Sequence, residues 1–177
     1  SYEYGAQTEF LDIEPNSVSS TEIRLRYEFG ETVDCVPQSV DEYIRKNALY
    51  SEYRAMIAKV KTYLTPERYR HTFYVVKRGL ELAPDGLRDK AFVACLLHDV
   101  AKYIKPTDYA KYGFTPSDGM PPSVVHSFLG AAVARRDFGV ADNEILDSIA
   151  YHTTGRPNMT ELDKIVYVAD KTEQTRP

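Results

Sequence analysis

The chain has 177 residues, 43% of them hydrophobic and 27% charged, the balance of a globular domain rather than a disordered or fibrous chain. The formal net charge is −4, which excludes broad, sequence-independent nucleic-acid binding, since that needs a basic footprint. No apolar run approaches the roughly 20 residues that span a bilayer, no basic-then-apolar leader is visible, and the two cysteines, Cys35 and Cys95, build no disulfide framework. A reducing cytoplasm is therefore the expected compartment.

Taken in chain order, the first 38 residues predict a strand around Glu9 to Ile13 and a short helix capped by Ser19 to Thr21 and ending at Gly30. This piece is too small for a core of its own. Ser39 to Glu42 reads as a capping box opening a helix through about Lys46. Glu52 to Leu64 predicts a second helix with Met56, Ile57, Val60 and Leu64 on one face. Thr65 and Pro66 cap and open a third, striped with Phe73, Val76, Leu80 and Ala83 and stopping near Pro84. Leu87 to Ile104 is apolar nearly all round, the pattern of one central helix. The proline- and glycine-rich run Lys105 to Pro122 predicts a long loop with a helical turn at Asp108 to Tyr112. Ser123 caps a helix through Phe138, stopped by Gly139, and Asp142 caps one through about His152. After the break at TTGRPNM, Thr160 and Asp163 cap a last helix with Leu162, Ile165, Val166 and Ala169 inward. The expected fold class is all-α.

One stretch needs an explanation: LLHDVAK, Leu96 to Lys102, places His98 and Asp99 inside the most apolar helix. A buried carboxylate costs several kcal/mol or more unless something neutralises it. The two side chains could pair with each other, or bind a divalent cation. The chain has four histidines, His71, His98, His126 and His152, each in a different predicted helix or at a helix end. Asp170 shares the inward stripe of the last helix, where it needs either a base such as Arg78 or Lys102, or a metal. Six nitrogen and oxygen ligands exceed the needs of one tetrahedral zinc. They suit two near-octahedral ions, with Asp99 the best bridge. Lys102, four residues after His98, could reach a phosphate there, and Tyr109, Tyr112 and Phe114 of the loop could stack on a base or simply pack.

The pattern His71, His98-Asp99, Asp170 resembles the motif of the HD-domain phosphohydrolases. RYRHTFYVVKRGLELA, CLLHDVAKYI, VVHSFLGAAVARRDFGV and EILDSIAYHTTGRPNMTELDKIVYVADKTEQTR together resemble the YqeK family among them, from about Ser51 onward. The resemblance implies an HD-domain helical bundle and symmetrical hydrolysis of diadenosine tetraphosphate to two ADP. It implies two divalent metal ions, iron first with manganese or zinc as alternatives, held by His71, His98, Asp99, His126, His152 and Asp170. It implies Asp99 and Lys102 as catalytic groups and substrate contacts from Lys102, Thr153, Gly155 and Arg156. Residues 16 to 50, with SST-x-IR at Ser19 to Arg24, are similar to the end of a nicotinate mononucleotide adenylyltransferase. The chain thus divides into 1–50, a remnant of that domain, and 51–177, the HD domain, the remnant implying a fused adenylyltransferase in the parent chain. Other expectations are a homodimer as an option, and no membrane or nucleic-acid partner. Two rival readings stand beside it: an HD enzyme acting on other nucleotides or alarmones, whose metal core would look identical, and a non-catalytic nucleotide-sensing module regulating the fused NAD-biosynthetic enzyme.

Overall fold

A computed structural model describes residues 19–176, and among them every regular element is helical. The helices are α1 (Ser20–Glu28), α2 (Gln38–Lys46), α3 (Arg54–Lys61), α4 (Pro66–Leu82), α5 (Arg88–Leu97), α6 (Pro122–Phe138), α7 (Asn143–Tyr151) and α8 (Glu161–Thr172), with 3₁₀ turns at Asp85–Leu87 and Pro106–Tyr112. The strand expected around Glu9 to Ile13 lies outside the described residues.

Helix α5 is the hub. It packs against α3, α4, α7 and α8, while α4 also meets α8 and α6 lies along α7. Ala91, Ala94, Cys95, Leu96 and Leu97 are all buried, so the C-terminal half of α5 lies almost wholly in the core. Leu129 and Val133 of α6, Ile149 of α7, and Leu162 and Val166 of α8 close the core around it. Each large aliphatic side chain removed from water there contributes roughly 1.5–3 kcal/mol. Two glycines set how closely the helices approach. A Cβ at Gly79 of α4 would stand 2.5 Å from Cys95 Sγ of α5. One at Gly130 of α6 would stand 3.2 Å from Ile149 Cγ2 and 3.5 Å from the His98 carbonyl oxygen.

The local start signals hold in part. Thr65 accepts from the Arg68 N–H, Asp142 from the Glu144 N–H, and Thr160 and Asp163 form a reciprocal capping box. Ser39 and Ser123 do not cap. Their helices begin one residue earlier, after Pro37 and Pro121, because proline presets the entry backbone and Pro122 at the first helical position forgoes only an N–H that would have had no partner. The helix expected over Glu52–Leu64 is shorter, since the chain tightens to i→i−3 bonds at Thr62 and Tyr63.

The central helix also ends earlier than its apolar pattern. It stops at Leu97, and Val100, Lys102 and Ile104 then donate to carbonyls three residues back instead of four. His98 and Asp99 thus sit at the joint between α-helix and tighter winding.

The described part of the N-terminal segment is fastened to the bundle. Leu25 and Phe29 join the main core, with Phe29 edge-on to Phe73 at 5.0 Å. Tyr27, Val33 and Ile44 make a small second cluster. The Glu28 carboxylate accepts from the Glu52 and Tyr53 N–H groups at the approach to α3, and Lys77 of α4 donates to Glu22 at 2.6 Å.

Candidate metal centre

The joint after α5, the start of α6, the end of α7 and the inner face of α8 face one point, together with His71 of α4. His71, His98, Asp99, His126, His152 and Asp170 are all buried there. The imidazoles form an edge-on series, with ring centroids 5.4 Å apart for His71 and His98, 5.1 Å for His98 and His152, and 5.3 Å for His126 and His152.

Three rings are oriented from behind. His98 Nδ1 lies 2.7 Å from the Cys95 carbonyl and His152 Nδ1 2.7 Å from the Ile149 carbonyl. A carbonyl only accepts, so both Nδ1 atoms carry the proton and both Nε2 lone pairs face inward. His71 Nδ1 donates likewise to Glu173 Oε1 at 3.1 Å. A backbone carbonyl or carboxylate behind each imidazole is the arrangement that fixes a metal-ligating ring. Glu173 is itself locked by the N–H and hydroxyl of Thr175, each at 2.7 Å.

Asp99 is the centre. Its Oδ1 lies 3.1 Å from His126 Nε2 and 3.8 Å from His152 Nε2; its Oδ2 lies 3.4 Å from His98 Nε2 and accepts from Arg68 Nη1 at 2.9 Å. Two groups have ligand atoms mutually within 4.8 Å: His71, His98 and Asp99, and Asp99, His126 and His152. Asp99 belongs to both. Asp170 Oδ1 stands 3.2 Å from His71 Nε2 and 3.8 Å from His98 Nε2. Its ion-pair partners are Arg176 at 2.7 Å and Lys171 at 3.0 Å, rather than the Arg78 or Lys102 suggested by sequence.

The electrostatics favour a cation. Burial opposes the charge on Asp99, yet His98, with His126 and His152, holds its carboxyl far below the usual range. Burial likewise opposes the charge on Asp170, and His71, His98 and Lys171 outweigh it. Burial and the neighbouring His98 push the His152 imidazole down to about 3, so it is a neutral donor at ordinary pH. Three buried atoms, His71 Nε2, His98 Nε2 and Asp99 Oδ1, have no hydrogen-bond partner. Each such atom costs about 1–3 kcal/mol. Imidazole nitrogens and a carboxylate oxygen left unpaired at one point form a donor set that fits divalent metals.

A 250 Å³ cavity opens over the cluster, walled by Arg68, Lys102, Ser123, Thr153, Lys171 and Arg176 as well as by Asp99, His126, His152 and Asp170. Lys102 Nζ is 3.1 Å from His126 Nε2, and the Thr153 hydroxyl is 3.2 Å from His152 Nε2. The other two expected substrate contacts are elsewhere. Arg156 donates to Asp163 and Asp147, each at 2.8 Å, because the buried Asp163 carboxylate requires a cation. Gly155, at φ +66°, makes the turn before α8. Neither lines the cavity. Tyr109, Tyr112 and Phe114 pack against the core.

Sequence reasoning passed over Arg68, Glu173 and Arg176. Arg68 is three residues before His71 and Glu173 three after Asp170, spacings that share a helix face and were readable. Arg176 follows the end of α8 in a turn, where no periodicity marks it.

Comparison with known proteins agrees with this geometry. The family described as HD domain matches residues 68–175. The symmetrical bis(5′-nucleosyl)-tetraphosphatase of Bacillus subtilis is 41% identical over 129 residues, which cover 68% of each chain. A probable nicotinate-nucleotide adenylyltransferase/Ap4A hydrolase of Mycoplasma genitalium is 35% identical over 80% of this chain and 40% of its own length. Among solved structures, one described as a predicted HD superfamily hydrolase involved in NAD metabolism, from Clostridium acetobutylicum, superposes with a TM-score of 0.61 at 30% identity, covering 71% of both chains.

Proposed function

This chain belongs to the HD-domain family, and from that premise we infer that it is a metal-dependent hydrolase that cleaves diadenosine tetraphosphate symmetrically to two ADP. The observation that carries the reading is Asp99, one buried carboxylate common to two ligand triads and left with an unpaired oxygen. We assign His71, His98, Asp99, His126, His152 and Asp170 as ligands to two divalent ions, iron first, with manganese or zinc able to accept the same donors.

Such cations, when bound, supply Lewis acidity toward a phosphoryl oxygen and generate a nucleophile from water near neutral pH. The chain's own groups do the rest. The Cys95 and Ile149 carbonyls and Glu173 keep three imidazoles in the tautomer that presents Nε2. Lys102, Arg68, Lys171 and Arg176 ring the cavity and offset charge on a polyphosphate as it is attacked. ADP leaves as a stable phosphate anion, so no strong general acid is required. Thr153, beside His152, is placed to hydrogen-bond a phosphoryl oxygen.

The Mycoplasma relative, named for both activities, aligns over more of this chain than residues 51–177 make up. That supports reading residues 1–50 as the end of an adenylyltransferase domain fused to the hydrolase in the parent chain. Among the described residues no helix is long and apolar enough to cross a membrane, and both cysteines are free, which supports a reducing cytoplasm.

The test is a nucleotide panel with protein loaded separately with iron, manganese and zinc. ADP as the sole adenine product from diadenosine tetraphosphate is expected. AMP with ATP, or equal turnover of guanosine alarmones, would defeat the assignment.

A further inference from the structure

The cavity over the cluster has a neighbour. A second cavity, of 430 Å³, shares Arg68 and Arg176 with it and is walled also by Thr65, Glu67, His71, Tyr103, Glu173 and Thr175. The two arginines belong to both walls. Each holds one carboxylate of the cluster, Arg68 that of Asp99 and Arg176 that of Asp170, and each is part-exposed, so a phosphate chain can lie against it without displacing the pair. The second cavity holds no ligand triad, yet its volume falls in the range of roughly 300–1,000 Å³ usual for small-molecule sites.

Tyr103 is the unusual residue there. It follows Lys102 in the tight winding after α5, and its side chain is 50% exposed although its neighbour Ile104 packs on the core. The Tyr103 hydroxyl lies 3.4 Å from Thr65 Oγ1, which also receives the Arg68 N–H, so the ring is tied to the cap of α4 at the cavity wall. An aromatic ring tethered at its polar tip, beside two arginines that lead to a phosphate-cleaving centre, has the features of a base-stacking platform.

We propose that Tyr103 is the stacking surface for one nucleoside base of the substrate, seated in the 430 Å³ cavity, with Arg68 and Arg176 guiding the phosphate chain from there to the metal centre. This rests on the reading of the chain as a dinucleoside polyphosphate hydrolase. Stacking holds ground state and transition state alike, so its loss raises KM and leaves kcat.

The chain has no tryptophan, so Tyr103→Trp installs a single reporter. With manganese-loaded protein, ADP should quench its fluorescence and inorganic pyrophosphate, which has no base, should not. Tyr103→Ala should raise the KM for diadenosine tetraphosphate about 5- to 150-fold with kcat little changed, as loss of one base stack implies. Tyr103→Phe, which keeps the ring but loses the tie to Thr65, should raise KM less than Tyr103→Ala does. Equal quenching by ADP and pyrophosphate, or an unchanged KM in Tyr103→Ala, overturns the seat. Absence of turnover in the unaltered, metal-loaded chain instead overturns the reaction reading on which the seat depends.

Discussion

Gly79→Ala is the sharpest probe of how α4 and α5 are spaced. The new Cβ would stand 2.5 Å from Cys95 Sγ, more than 1 Å inside ordinary contact, and both partners are buried in the core. Overpacking of this kind costs about 1–3 kcal/mol. Alanine regains about 1 kcal/mol of helix propensity over glycine, so the net loss is about 0–2 kcal/mol. For a chain of this length that lowers Tm by up to about 8 °C. Cys95→Ala removes the offending sulfur, leaving Cys95 Cβ at 3.6 Å and Ile165 Cγ2 at 3.9 Å as ordinary neighbours. Alone, Cys95→Ala loses on the order of 1 kcal/mol of packing. In the double variant the added methyl occupies the vacated space, so the two changes should couple favourably by about 1–3 kcal/mol. Urea unfolding of the four metal-free proteins measures this directly. Since α4 carries His71 and the joint after α5 carries His98, cation affinity should fall in Gly79→Ala and recover in the double variant. Additive effects within about 0.5 kcal/mol, or a Gly79→Ala protein more stable than its parent, would refute the close approach of the two helices.

Other outcomes follow from the same geometry. Manganese at about 100 times its dissociation constant should stabilise the chain by about 2.7 kcal/mol in scanning fluorimetry, and Asp99→Ala should abolish that shift because both triads lose a member. His152, held down to about 3 chiefly by burial, stays neutral in the folded chain where its unfolded counterpart protonates below about 6.5. Stability from this residue is therefore present above about pH 6.5 and lost as pH falls toward 3, at up to about 1.4 kcal/mol per pH unit. His152→Gln should flatten the pH dependence of metal-free unfolding in that window; an unchanged slope would contradict it. Thr160→Ala removes the oxygen that accepts the Asp163 N–H and should cost about 0.5–2 kcal/mol, read from the urea midpoint.

The helices and the gathering of buried histidines and aspartates were legible from sequence for one reason: both depend on residues out of keeping with their surroundings. Thr65-Pro66, Gly139 and the Thr160–Asp163 pair punctuate, and His98, Asp99 and Asp170 are polar where the pattern is apolar. The end of α5 was not legible. Val100 and Ala101 are as buried in the tight turns as Leu96 and Leu97 are in the helix, so a change of hydrogen-bond partner leaves the apolar pattern intact. Arg156 entered as a substrate contact through family resemblance alone, and the sequence does not reveal that Asp163 and Asp147 engage it in the fold. Arg176 is a part-exposed charged residue past the end of α8, a position that carries no signal until the fold turns it inward.

The double membership of Asp99 has a thermodynamic corollary. On the proposed two-cation reading, a cation entering either triad would withdraw electron density from the oxygens offered to the other and add positive charge a few ångströms away, while fixing the carboxylate's orientation for the newcomer. The two halves would then not fill independently, and a calorimetric titration should resolve two unequal steps instead of one isotherm with a doubled stoichiometry.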